Sequence, residues 1–435
     1  MQAKHPTSSA VAVSSKIQDQ GMNDSTKFMK AKKKFRVYNE QEVMENIDNL
    51  HTMFDAGYAY SITTSVLTHL NSHYFRVKFI GFEEQPERVG EDVPLIYASN
   101  HSGMAFPWDA IALASSFFER SDYNLKKAAR VLASPALSLA PIMSPFLIPD
   151  FWKKLGGVDA TLINYDSLMH TKDSQVLIYP EGVPGIGKGF DKKYKLRRLA
   201  SSTIRMSIKH KTPIVPIATV NGEYINPYSY SMDWVNRLAQ KLGIPFLPIG
   251  LALLVVPFQP WFFYFGFPAK LTFVKGAPFK PYELVDGRAL EQVTEEEIQQ
   301  LRDQFQDHMQ AHLNDSVAAH GTHPFQWKDF WKECKQQWSI LWRFNPLNWC
   351  MIMKEHHAWY LKEKQQLQQE GRWPEGYEQQ IELWKSLKAE GRTFPLKRKG
   401  LVKRFFGDLT TLLLYIPGLG LLYMLSKRPS KINTK

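Results

Sequence analysis

The sequence predicts an α/β protein with a mixed central sheet flanked by helices, N-terminal amphipathic helices ahead of it and a helical C-terminal extension behind. Between Tyr74 and about Lys280, short apolar runs alternate with helix-length stretches, the pattern of a sheet covered by helices. Before that segment apolar residues recur at helical spacing, and after about Thr294 the chain turns charged, Trp-rich and helical. At 435 residues it is long enough to bury a sizeable core.

In chain order, residues 1–38 are polar and lysine-rich, with too little apolar surface to order themselves, and are expected to form a disordered basic arm. No apolar stretch of signal-peptide type precedes "KFMKAKKKFRVY", so export is not expected and the active part is expected to face the cytoplasm. Over 39–73, Val43, Ile47, Leu50, Met53 and Phe54, then Tyr58, Ile62, Val66, Leu67 and Leu70, predict one or two amphipathic helices. A domain over 74–285 follows. Its strands are predicted at "RVKFIGFE", "VPLIYASN", "AARVLAS", "QVLIYPEG", "PIVPIATVNG" and "KLTFVKG", with helices at 107–119 and 193–210 between them.

Residues 242–269 hold no charge and are broken by Pro245, Pro248, Pro257, Pro260 and Pro268, which disfavours a membrane span. They read either as buried loops and strands or as an apolar surface touching lipid. In the helical extension, 286–400, Trp327, Trp331, Trp338 and Trp342 step along one helical face, expected as packed core in preference to an interfacial anchor. The last segment, 401–435, contains an uncharged run over 409–425 interrupted by Pro417, Gly418 and Gly420. An in-plane or re-entrant membrane anchor is expected there.

Lys and Arg exceed Asp and Glu by 54 to 42, which favours an anionic partner. The 12 tryptophans direct that preference to a phospholipid surface, and no arginine-rich strip, zinc finger or RNA-binding aromatic signature points to nucleic acid. Cys334 and Cys350 lack CxxC spacing and read as reduced thiols. No HExxH is present and His356 and His357 are adjacent, facing different directions on a helix, so neither a metal nor a cofactor is expected.

Two stretches carry the chemistry. In "YASNHSGMAFPWDAIAL" (97–113), His101 ends a strand and Asp109 falls in the first turn of the next helix, behind Pro107 and Trp108. An imidazole serves as general base near neutral pH when a second group holds its tautomer. In "LIYPEGVPGIGKGFDKKYKLRRL" (177–199), Pro180-Glu181-Gly182 ends an apolar strand, and Gly182, Gly185, Gly187 and Gly189 let backbone approach a ligand closely. Cations follow at Lys188, Lys192, Lys193, Lys195, Arg197 and Arg198. The loop lacks the GxxxxGK[ST] order of a nucleotide P-loop, and no GxSxG marks a lipid hydrolase.

Asn100-His101 with Asp109, "KLGGVDATLINYDSL" (154–168), "YPEG" (179–182) and "PIVPI" (213–217) stand in the order and approximate separation seen in glycerolipid acyltransferases. Over about 74–280 the chain resembles that family, the lysophosphatidic acid and lysophospholipid acyltransferase group. The resemblance implies transfer of a fatty acyl group from acyl-CoA or acyl carrier protein to a lipid hydroxyl, at the cytoplasmic face of the inner or cell membrane. The implied partners are the thioester donor, the lipid acceptor and an anionic membrane surface. His101 becomes the base and Asp109 its orienting partner, with Asn100, Ser102 and Gly103 beside them as substrate-binding residues. Glu181 and Gly182 contact the acceptor, and "PIVPI" supports the acyl pocket.

The chain departs from the family pattern twice. Seven residues, "SGMAFPW", separate His101 from Asp109 where four are usual, so the loop must bulge, and Gly103 permits it. "PEGVPG" replaces the common "PEGTRS" and lacks the arginine that meets acceptor phosphate. Either Lys188, Arg197 or Arg198 replaces it, or the acceptor carries no phosphate. The alternative reading is a non-catalytic, membrane-associated lipid-binding protein of the same fold.

Overall fold

Seven strands, β1 (Lys78–Ile80), β2 (Ile96–Ser99), β3 (Ala129–Ala133), β4 (Val158–Asp159), β5 (Gln175–Ile178), β6 (Ile214–Val220) and β7 (Thr272–Lys275), form one sheet in the order β1-β7-β6-β2-β5-β3-β4. Neighbours are parallel except β6 and β7, so β1 and β7 run against the rest and the sheet is mixed, as expected. Every residue of β2, β5 and β6 is buried, which requires cover on both faces and explains their nearly unbroken apolar runs. β4 was not expected; two residues carry no readable alternation.

The computed structural model describes residues 38–395 except 52, 85, 87–89, 91–92, 104–105, 136, 138–144 and 242–245, and beyond them 412–419 and 422. The basic arm, apart from its last residue, and most of the C-terminal anchor therefore lie outside the described residues. The chain falls into two units, 1–42 and 43–435. In the first, Asn39 and Glu42 cap the helix that starts at Glu40: Asn39 Oδ1 accepts the Glu42 N–H at 2.8 Å and Glu42 Oε2 accepts the Asn39 N–H at 3.1 Å.

Helices used below are α1 (Glu40–His51), α2 (Ala56–Ile62), α3 (Trp108–Arg120), α4 (Leu162–Thr171), α5 (Ser202–His210), α6 (Asp233–Lys241), α7 (Leu251–Val255), α8 (Glu295–His320), α9 (Trp327–Gln336), α10 (Trp338–Arg343), α11 (Trp349–Gln369) and α12 (Tyr377–Ala389). α2, which continues through two π-helical turns to Tyr74, differs from the amphipathic helix expected: all seven of its residues are buried. The reason is that α11 and α12 cover its outer side. Asp55 caps α2 by accepting the Tyr58 N–H at 2.9 Å and also binds the Tyr360 hydroxyl and the Lys364 ammonium. A Cβ on Gly57 would lie 2.6 Å from the Trp384 indole nitrogen, so only glycine fits there. One core cluster runs from Phe54 through the sheet to Phe394 and Leu414.

The helix expected over 193–210 begins only at Ser202. Upstream, backbone N–H groups bond side chains instead of helical carbonyls. Tyr194 N–H goes to Glu223, Arg197 N–H to Glu181, and those of Leu196 and Leu199 to Gln310 and Gln306 of α8.

The Trp stripe is corrected. α9 and α10 part at Gln337, and Trp327, Trp331, Trp338 and Trp342 are 47, 59, 61 and 45% exposed. A second apolar stripe, Phe330, Cys334 and Leu341, runs alongside and takes the core side. Spacing identified the Trp stripe as a face but not that the neighbouring stripe is the one that meets the core. The uncharged segment splits between its two readings: Tyr264 and Ala269 are buried, while Leu254 and Phe258 are among the most exposed apolar residues described.

Candidate active site

Parallel strands β6, β2 and β5 are adjacent, so the residues just past their carboxyl ends gather at one edge of the sheet. Ligand sites in parallel α/β sheets form in this position. β2 delivers Asn100, His101 and Ser102, β5 delivers Tyr179 and Glu181, and β6 delivers Asn221 and Glu223.

His101 and Asp109 meet despite the seven-residue spacing. His101 Nδ1 lies 3.0 Å from Asp109 Oδ2, with the carboxylate buried and the ring 14% exposed. Asp109 stands in the first turn of α3, where the helix dipole favours a negative charge. Its Oδ2 also accepts the Ser102 N–H at 3.0 Å, and the Ser102 hydroxyl points at it from 3.4 Å. An ionised carboxylate is acceptor-only, so Nδ1 is the nitrogen that donates to it, and in the neutral imidazole the lone pair then stands on Nε2. The Tyr179 ring lies tilted over the imidazole at 4.3 Å, and burial beside Asp109 holds its phenol well above the usual tyrosine range, hence protonated.

The extra residues of the loop are absorbed in two ways. Gly103 takes φ +107°, and its carbonyl accepts the Asn226 amide at 2.8 Å. Phe106 is fully buried against Trp108, Phe146 and Tyr264. The Trp108 indole N–H in turn donates to the Tyr264 carbonyl at 2.8 Å, fixing the start of α3. Met104 and Ala105 lie outside the described residues.

The remaining residues expected at the substrate are mostly given other tasks. Asn100 is 1% exposed and clamps β6: its Oδ1 accepts the Thr219 N–H at 2.7 Å and its Nδ2 donates to the Thr219 carbonyl at 3.1 Å. It extends the β2–β6 pairing by one residue and aims the chain at His101. Asn100→Ala is expected to cost about 2–3 kcal/mol, since two buried backbone groups lose their partner. Urea unfolding of both proteins would measure it, and a loss under about 0.5 kcal/mol would exclude the clamp.

Glu181 is buried and both of its carboxylate oxygens are engaged. Oε1 accepts the His101 N–H at 2.9 Å, Oε2 accepts the Arg197 N–H at 2.6 Å, and Lys188 Nζ lies 3.7 Å from Oε2. Glu181, expected at the acceptor, therefore holds the histidine's backbone from a buried position. Lys188, expected as a phosphate contact, is 2% exposed, its ammonium lying between Glu181 and Glu223, 3.6 Å from Glu223 Oε1. Ser102, also buried, serves the Asp109 carboxylate. Gly182 and the Arg197 side chain are the exposed members of the expected set at this edge. Arg198, exposed as well, donates to Gln299 at 3.3 Å. A Cβ on Gly185 would lie 2.5 Å from Glu181 Cβ and 3.2 Å from His101 Cβ, so the glycine loop packs directly on the pair.

Glu223 is the residue sequence reasoning missed. It is 4% exposed, accepts the Tyr194 N–H at 3.1 Å, and its Oε2 finds no hydrogen-bond partner among the described residues. Burial, opposed by Lys188, holds its carboxyl above the ordinary glutamate range. The available signal was an acid three residues beyond a strand that is apolar but for Thr219.

Away from this edge, Asp166, His170 and His210 group closely at α4 and α5. His210 Nε2 reaches Asp166 Oδ1 at 2.8 Å and Lys209 binds the other oxygen, so the carboxylate already sits in an ion-pair network. Cys334 and Cys350 are free and buried.

Residues 76–220 match the family model described as Acyltransferase, a span that takes in His101, Asp109 and Glu181. Uncharacterized proteins of Mycobacterium bovis and Mycobacterium tuberculosis are each 26% identical over 197 residues, covering 45% of this chain and 51% of their own. An uncharacterized protein of Mycobacterium leprae is 25% identical over 245 residues, 54% of this chain and 62% of its own. The chain thus spans about half the length of the first of these relatives. The crystal structure of the 1-acyl-sn-glycerophosphate (LPA) acyltransferase PlsC from Thermotoga maritima aligns with a TM-score of 0.33 and 16% identity, over 57% of this chain and 80% of that one. The family match bears out the resemblance carried by the sequence motifs.

Proposed function

We propose that this protein transfers a fatty acyl group from a thioester, acyl-CoA or acyl carrier protein, to a hydroxyl of a glycerolipid acceptor. The observation that carries the reading is the 3.0 Å contact between His101 Nδ1 and Asp109 Oδ2 at the carboxyl edge of the sheet, inside the matched segment. Nε2 of His101 takes the proton of the acceptor hydroxyl as its oxygen attacks the thioester carbonyl. When the tetrahedral intermediate collapses, the C–S bond breaks and the imidazolium returns that proton to the departing thiolate. Asp109 keeps the ring in the needed tautomer and stabilises its charged form. Neither cysteine takes part: Cys350 is buried and burial raises its thiol far above the reactive range.

With Lys188 between two glutamates, the exposed guanidinium of Arg197 is the group at this edge suited to an acceptor phosphate. Incubating the purified protein with a lipid extract and acyl-CoA labelled in the acyl chain should place label in an ester-linked lipid, whose head group identifies the acceptor. Label that binds but is never transferred, with either CoA or carrier-protein donors, would overturn the reading and leave the non-catalytic alternative.

A further inference from the structure

Exposed large apolar side chains join into one surface beside the candidate site. α6 turns Val235 and Ala239 inward yet also shows Trp234 and Leu238 to the outside, 63 and 56% exposed. Leu251, Leu254 and Phe258 follow at 49, 70 and 65%. The two runs are tied by paired hydrogen bonds of 2.8 Å between Tyr230 and Ile249. They also touch the glycine loop. Phe190 N–H donates to the Ser229 carbonyl at 2.8 Å, and a Cβ on Gly187 would lie 3.0 Å from the Phe246 ring.

The surface continues on both sides. Gly418 N–H donates to the Pro257 carbonyl and Trp261 N–H to the Leu414 carbonyl, each at 3.1 Å, which brings exposed Leu419 beside Phe258. The Tyr415 hydroxyl bonds the Leu347 carbonyl and leads on to exposed Leu347 and Trp342. In the other direction, exposed Tyr228 is linked to Trp327, the start of the exposed Trp stripe, by ring contacts that pass beneath the surface through buried Phe190 and partly buried Tyr224 and Phe325.

Isolated exposed apolar residues are ordinary, but a joined set marks a docking surface. Charge decides what covers it. Over 228–265 the charged residues are Asp233, Arg237 and Lys241 alone. Over 327–343 four cations, Lys328, Lys332, Lys335 and Arg343, face two acids, and one of these, Glu333, is already bound by His73 at 2.7 Å. Indoles interleaved with lysines suit a bilayer boundary, rings among the acyl chains and cations at anionic headgroups. Among the described residues no helix is long and apolar enough to cross a membrane. We propose that this surface lies in the plane of an anionic phospholipid bilayer, with the glycine loop at its border. That it meets the acceptor there rests on the acyl-transfer reading.

Flotation of the full-length protein with phosphatidylcholine vesicles, with and without phosphatidylglycerol, tests the surface without any turnover. A failure here leaves acyl transfer standing, and absent transfer leaves flotation informative. Wild type should float with the mixed vesicles, less so at high salt. Leu254→Asp with Phe258→Asp, and separately Trp331→Asp with Trp338→Asp, should each lower partitioning about tenfold or more. Leu284→Asp, at a site 55% exposed beside α5, should not. Thermal melts of both double variants check their folding. Wild-type flotation by both, or wild type remaining unfloated, would overturn the proposal. So would a dimer that these substitutions dissociate, which would assign the surface to a second copy.

Discussion

His101→Ala is expected to lower acyl-transfer turnover by about 10²–10⁴, the usual worth of general-base help. The effect should fall on kcat, because the imidazole acts on the migrating proton and the loss belongs to the transition state. The fold should survive, since the ring is held by one bond to Asp109 and by Tyr179 while the backbone N–H remains on Glu181. Asp109→Asn should approach the same loss by another route. The asparagine presents an amide N–H as readily as an oxygen, and the ring then loses the acceptor that fixes its proton on Nδ1. Steady-state kinetics of both variants with a labelled thioester would check this, with circular dichroism as the control for folding. Undiminished turnover in His101→Ala would remove the base from the mechanism.

The second large effect is on stability. Lys188→Met is expected to destabilise the protein by about 3–5 kcal/mol, the range for a buried ion pair that loses one partner. Lys188 is 2% exposed and is the cation within 4 Å of both Glu181 and Glu223. Glu181 retains two backbone N–H donors, whereas Glu223 retains one and has an oxygen without a partner among the described residues. Glu223 should therefore bear most of the penalty.

Its carboxyl is already raised by burial in the wild-type protein, and losing Lys188 raises it further. A carboxyl whose folded-state pKa lies above its unfolded value binds more protons when folded. Its contribution to stability thus falls as pH rises above the unfolded value and recovers as pH drops through the folded one. The variant's deficit should be greatest at neutral and alkaline pH and shrink on acidification. Glu223→Gln in the Lys188→Met background should restore much of the loss. Denaturant melts across pH would decide it; a deficit that grows on acidification would place the strain elsewhere.

The strands and the catalytic pair were legible because they rest on local signals. Apolar runs bounded by Gly, Pro and Asn marked every strand but β4, and the order of motifs brought His101, Asp109 and Glu181 to one edge. What escaped depends on pairings distant in the chain. The loop before α5 looks helical until Glu181, Glu223 and α8 are there to take its N–H groups. Lys188 looks like a solvated cation until Glu223 arrives from β6. Asn100 and Glu181 sit within recognisable motifs, yet only the folded chain shows that Thr219 and the His101 backbone occupy them. The Trp stripe failed for a different reason: two apolar faces on one helical pattern are equivalent until one meets the core.

The socket around Gly57 bears on how the chain is made. Its N–H is capped by the side chain of Gln380 at 3.4 Å, a residue 323 positions later, and Trp384 and Tyr360 fill the space where a side chain would stand. On the ribosome, Tyr58 and Ile62 emerge long before that lid has been translated. Until α11 and α12 have been translated the nascent chain carries this apolar helix without its cover, so their arrival is the step that completes its burial.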